Sequence, residues 1–134
     1  MRIATLILFV LLAALLTACA GNQPQINPET SEFDFGDVVN GVIMEKDLTV
    51  RNTGRGDLVV ETVTTTCGCT TASLDAMTIP SGGSATLHIE FDSGAHGPEL
   101  TGQVMRQVIL ISNDPQQPEA TVQFVANILS PESP

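Results

Sequence analysis

The chain has 134 residues, the length of one domain, and carries 15 acidic against five basic side chains for a formal net charge of −10. A protein so acidic repels phosphate backbones, which argues against nucleic acid as a partner. With no Trp, no Tyr and five Phe, it is short of the stacking rings that carbohydrate sites use, and the few present are wanted for a core.

Met1 and Arg2 form a minimal positive start, and Ile3 to Leu16 then contains no charged residue and is mostly Leu, Ala, Val and Ile. That run is shorter than the ~20 residues a permanent bilayer-spanning helix needs and fits the apolar region of a signal peptide. Leu16-Thr17-Ala18-Cys19 follows directly, with small residues before a cysteine. The motif resembles the lipobox of bacterial lipoproteins. The resemblance implies a signal peptide over residues 1–18, cleavage before Cys19, and diacylglycerol with further acyl lipid on Cys19 as the covalent anchor. Several acyl chains make membrane attachment stable where one does not. An ordinary secretory signal cut near Ala18 or Ala20, with Cys19 incidental, is the alternative. Residue 20 is Ala, not the Asp that in many Gram-negative bacteria retains lipoproteins at the inner membrane. The expected location is therefore the cell envelope: the outer membrane of a Gram-negative cell, otherwise the outer face of the cytoplasmic membrane. Beyond Cys19 the basic residues are Lys46, Arg51, Arg55 and Arg106, against all 15 acidic ones, 4 − 15 = −11. Anionic headgroups would repel this part, so attachment falls to the lipid.

From Ala20 to Thr30 the chain is polar, with two prolines and a glycine, and with Cys19 it reads as a flexible tether over residues 19–30. Strands and turns follow, without a convincing helix. Phe33 and Phe35 alternate with acidic neighbours before a turn at Gly36-Asp37; Val42, Met44, Leu48 and Val50 share one parity, interrupted by Lys46. Asn52 to Asp57 is a turn cluster. Leu58 to Thr66 is rich in Val and Thr, as strands prefer, and Ser81-Gly82-Gly83 is another turn. Ala85, Leu87, Ile89 and Phe91 alternate with Thr86, His88, Glu90 and Asp92, the pattern of a half-buried strand. After a Gly/His/Pro stretch, Val104 to Ser112 is a β-branched run closed by Asn113-Asp114-Pro115, and Val122, Phe124, Ala126 and Ile128 form a last alternating strand. About seven short strands separated by turn signals describe an all-β chain, a single immunoglobulin-like β-sandwich over residues 31–129, with a disordered tail over residues 130–134.

Several phrases occur in a fixed order: Phe33-Asp34-Phe35-Gly36-Asp37-Val38, Gly41-Val42, Val50-Arg51-Asn52-Thr53-Gly54, Leu58-Val59-Val60, Cys67-Gly68-Cys69-Thr70, Ile79-Pro80-Ser81-Gly82, Ile89-Glu90-Phe91-Asp92, Gly97 and Ser112-Asn113-Asp114-Pro115. The series resembles the bacterial domain of unknown function DUF1573, a Hydin-like branch of immunoglobulin-type sandwiches, from about Phe33 to Ile128. The resemblance implies the sandwich and an exported setting, and no biochemical activity.

Cys67-Gly68-Cys69 is the sharpest chemical feature, and three readings of it stay open. An oxidising compartment favours a local disulfide. In a straight strand the two Cα atoms would stand about 6.6 Å apart, so the chain must bend to join them, and so short a loop would add little stability. Two thiolates on a turn also suit a soft metal, Cu(I) or Zn(II), with His96, His88, Met77 or Met105 as weak further candidates for ligands; a closed zinc site usually shows two ligand pairs. Thirdly, the cysteines could be small buried hydrophobes. His88, between Thr86 and Glu90, is expected on the solvated face, and His96 as a loop residue. No phosphate-binding glycine motif, nucleophile elbow or hydrolytic constellation is visible. The expected protein is thus not an enzyme. It is a lipid-anchored binding or scaffolding module for an envelope protein partner, with no cofactor beyond the lipid; a metal-binding or redox module acting through Cys67 and Cys69 is the rival.

Overall fold

Strict alternation over Ser84–Asp92 buries Ala85, Leu87, Ile89 and Phe91 and leaves Thr86 and His88 outside, because successive side chains of a strand face opposite ways. The computed structural model describes residues 21–131; the expected signal peptide, Cys19 and the last three residues lie outside them. Nine strands occur among the described residues: β1 (Ile26–Pro28), β2 (Glu32–Val39), β3 (Ile43–Asn52), β4 (Leu58–Thr65), β5 (Thr70–Leu74), β6 (Thr78–Ile79), β7 (Ser84–Asp92), β8 (Gly102–Ser112) and β9 (Glu119–Leu129). They form two sheets in the orders β1-β3-β7-β5 and β2-β9-β8-β4-β6, a β-sandwich with its core between the sheets. Beyond the expected set of about seven there are short pieces such as β1 and β6, too brief to show a period.

The first segment splits between the sheets. β1 pairs antiparallel with β3, and after Glu29 the chain crosses over and β2 runs parallel to β9. A bulge between Asp34 and Asp37 interrupts the parallel ladder at Gly36, which takes φ +72, a conformation that favours glycine. Phe33 and Phe35, two residues apart and so on one face of β2, form one cluster with Phe91 from β7 and Phe124 from β9, and past the bulge Val38 turns to the core. Neighbouring ring centroids lie 5.1 to 6.3 Å apart. All four phenylalanines among the described residues thus close the gap between the sheets.

The tether expected over residues 19–30 is corrected from Gln23 onward. Ile26 is buried, its N–H donates to Asp114 Oδ2 at 2.9 Å, and Gln23 O accepts from Arg55 N–H at 2.9 Å. The segment reads as a linker because its partners lie far along the chain. Asn52 completes the clasp: its Oδ1 accepts from Gln25 and Gly54 N–H, and its Nδ2 donates to Gly56 O and Ile79 O. A Cβ on Gly54 or Gly56 would collide with the backbone between Asn22 and Gln25, so the turn must be glycine there. Val42, expected on the inward parity of β3, is exposed instead, because it precedes the strand at the end of the sandwich.

Candidate functional site

At the opposite end of β4 the chain passes from one sheet to the other through a tight turn, Thr66 to Cys69. Thr65 Oγ1 lies within hydrogen-bonding distance of both Cys67 O and Thr70 O, and Thr70 N–H donates to Cys67 O at 3.1 Å. The turn draws the Cα atoms of Cys67 and Cys69 to 5.2 Å, and the two sulfurs are joined as a disulfide. Their surroundings differ. Cys69 is 3% exposed and belongs to the core cluster, whereas Cys67 is half-buried at its margin.

Each sulfur has its own nitrogen neighbour. His96 Nε2 lies 3.2 Å from Cys67 Sγ. Arg106 Nε donates to Cys69 Sγ at 3.1 Å, while its Nη1 donates to Met105 O. Arg106 stands between Val104 and Val108 on the inward parity of β8, opposite Phe124, a position where alternation calls for an apolar side chain. Among the described residues no carboxylate forms an ion pair with it, although the domain is strongly acidic. The sequence reading missed Arg106; its signal was the break in the stripe Val104, Val108, Leu110.

The loop that carries His96 is fixed by the turn between β2 and β3. Asn40 Nδ2 donates to Gly97 O and to Leu100 O, both at 2.9 Å. Ser93 Oγ accepts from Val42 N–H at 2.9 Å and lies 2.7 Å from Val42 O. His96 is therefore held beside the cysteines by a built loop, which the spacing of the sequence could not show.

The four residues named as weak metal candidates divide accordingly. Ligand atoms of Cys67, Cys69 and His96 lie within 4.8 Å of one another, but joined sulfurs carry no thiolate charge, and a metal needs the thiolate. His88 belongs elsewhere: it faces Asp47 across the β3–β7 ladder, with Nδ1 at 2.6 Å from Asp47 Oδ1. That hydrogen bond, reinforced by Glu45 and Glu90, raises its pKa above 6.5. A proton-NMR titration should find the His88 midpoint above that value and lower in Asp47→Asn. Met105 projects outward from β8, and Met77 adjoins β6 at the start of β4.

Solved structures share this architecture. A crystal structure of a protein of unknown function from Porphyromonas gingivalis W83 superposes with TM-score 0.69 and 25% identity, over 84% of this chain and 50% of that one. The Vibrio cholerae VesB protease is similar at TM-score 0.61 and 16% identity, over 79% of this chain and 32% of the protease. The ASH/PapD-like domain of human CEP192 is similar at TM-score 0.62 and 13% identity, over 82% of this chain and 89% of that one. The chain thus spans half, or less, of the first two structures, and the two likenesses below 25% identity establish the fold alone. No curated protein matches it. The family model described as protein of unknown function (DUF1573) matches residues 26–128, from the start of β1 to the last residue but one of β9, and the chain belongs to that family.

Proposed function

We propose that the protein is a non-enzymatic binding module of the bacterial envelope, anchored by lipid on Cys19, which captures an extended segment of a partner protein along β3. The observation that carries this reading is the open outer edge of β3. β1 covers only Val50 to Asn52, and among the described residues no strand pairs with that side from Ile43 to Leu48. Glu29 N–H donates to Thr49 O on the outer side, and Asn52 N–H to Gly83 O on the β7 side. By alternation, Ile43, Glu45 and Asp47 direct their N–H and C=O groups outward, the arrangement that accepts an added strand.

Exposed apolar residues continue the edge: Val39 (42% exposed), Val42 (43%) and Ile43 (56%) sit together around the β2–β3 turn. The charge of −11 beyond Cys19 selects a partner segment that alternates apolar with basic residues. Glu45 and Asp47 on the edge meet such a segment and disfavour pairing with a second copy of this chain.

A photo-crosslinking residue at Ile43 of the full chain, in its own cells, tests the reading. The expected result is a discrete adduct mapping to an extended basic segment of one partner. The adduct should be lost in Glu45→Pro, which removes an outward donor and leaves the β7 ladder intact, and absent when the crosslinker stands at Asn127. Equal crosslinking at both positions, or an adduct indifferent to Glu45→Pro, would overturn it.

A further inference from the structure

We propose that Cys67 and Cys69 form a thiol–disulfide exchange site, in which Cys67 is the sulfur attacked by a partner dithiol and Cys69 the sulfur that leaves. The inference goes beyond strand capture and does not depend on it. A disulfide that closes a loop across one residue contributes little to stability through chain entropy, so the bond's place in the fold needs another account. The asymmetry of its two ends supplies one. Cys67, half-buried at the margin of the core, holds the outer sulfur, the one nearer an incoming thiolate; Cys69 is buried, with only 3% of the residue exposed. Exchange proceeds along the line of the two sulfurs, so attack on the outer one expels the inner one as a thiolate, and exchange is faster when that thiolate is the better leaving group. A buried thiolate is costly without a counter-charge. Arg106, turned inward on β8 and free of any carboxylate among the described residues, supplies it at 3.1 Å.

Atoms and electrons balance as follows. A partner thiolate bonds to Cys67 Sγ as the Cys67–Cys69 bond breaks, and the electron pair departs on Cys69 Sγ, paired with Arg106. The partner's second thiolate then attacks its own sulfur in the mixed disulfide and releases Cys67. The partner dithiol is oxidised by two electrons to its disulfide, and this chain is reduced by the same two electrons. The protons of the two partner thiols pass to Cys67, through His96 Nε2 at 3.2 Å, and to solvent. His96 and Arg106 thus flank the reduced pair as lysine, arginine or histidine flank other reactive thiols.

The test uses the full-length protein extracted in detergent, with dithiothreitol and oxidised glutathione as probes. The disulfide is expected to open in dithiothreitol without loss of the folded circular-dichroism spectrum. In Arg106→Gln the rate of opening should fall about tenfold, with Arg106→Lys in between, because a poorer leaving thiolate slows exchange. The reduced Cys69→Ser protein should form a mixed disulfide with glutathione at least about tenfold faster than reduced Cys67→Ser, whose remaining thiol is buried. In reduced His96→Gln, the pH profile of Cys67 alkylation should move upward, a readout that a merely structural histidine would not shift. Equal labelling of the two serine variants would overturn the proposal, as would a disulfide that resists dithiothreitol until the domain unfolds. An opening rate indifferent to Arg106→Gln in a folded protein would do the same. Tight zinc binding by the reduced protein without exchange would assign the cluster to a metal instead.

Discussion

Phe124→Ala is expected to cost about 3–5 kcal/mol of stability, the range for deleting a fully buried ring. For a domain of this size that lowers the melting temperature by roughly 15 °C or more. Phe124 has no exposed surface and touches three other rings at centroid distances of 5.2 to 5.4 Å: Phe33 and Phe35 on β2, and Phe91 in the facing sheet. Residues 21–134 hold no further phenylalanine, and no tyrosine or tryptophan, to collapse into the void. Because β2 lies at a sheet edge and packs through Phe33 and Phe35, its amide hydrogens should exchange faster in the variant even below the melting temperature. Met105→Ala, on an exposed side chain, is the control and should change stability by less than about 0.5 kcal/mol. Thermal circular dichroism with hydrogen exchange checks both, and a loss under about 1 kcal/mol for Phe124→Ala would mean that the ring does not bridge the sheets.

Asp114→Ala should cost about 3 kcal/mol, because it removes several charge-assisted hydrogen bonds and leaves a buried donor unpaired. Asp114 is 1% exposed. Burial alone would raise its pKa, but the backbone N–H groups of Ile26, Gln116 and Gln117 together outweigh that effect and hold it below 3.8. The sign of the pH dependence follows. A carboxyl group with a depressed folded pKa gives its full stabilisation above the unfolded value and loses it as pH falls through the lower folded one. Melting temperature measured from neutral to strongly acidic pH should fall on the acid side in the wild type and fall less steeply in Asp114→Asn. The asparagine should already be destabilised at neutral pH, since its amide sets a donor where a backbone donor points. Parallel acid limbs in the two proteins would exclude Asp114 as the group responsible.

The fold was legible because β7 and β9 bury one face without a break, and because the turn phrases stand between such runs. The order of phrases gave the family as well, and the structure supplies a reason for several of them. Asn52, Gly54, Ile79 and Asp114, far apart in sequence, meet in the clasp that receives residues 23–26. That same distance hid the clasp: Ile26 is one apolar residue among prolines and polar side chains, and its partner stands 88 residues away. The candidate site was legible at Cys67 and Cys69, with His96 named beside them only as a weak candidate ligand. His96 approaches them because Asn40 pins its loop, a long-range contact without local trace. Arg106 went unread although its parity was visible, because a basic residue in a β-branched run looks like surface until the opposite strand is placed.

The clasp also sets the standing height and posture of the protein in the anchored form proposed above. Three residues separate Cys19 from Gln23, where the chain is already hydrogen-bonded to the turn at Arg55 and Gly56, so the leash spans at most roughly 14 Å. The Asn52–Gly56 turn is then pressed toward the bilayer surface, and the domain has little freedom to tumble. β4 climbs away from that turn for eight residues, about 26 Å at the rise of a strand, and Cys67, His96 and Ile43 all lie at the far end. In that anchored form the clasp end is the footing, and the cysteine pair and the open edge point away from the membrane.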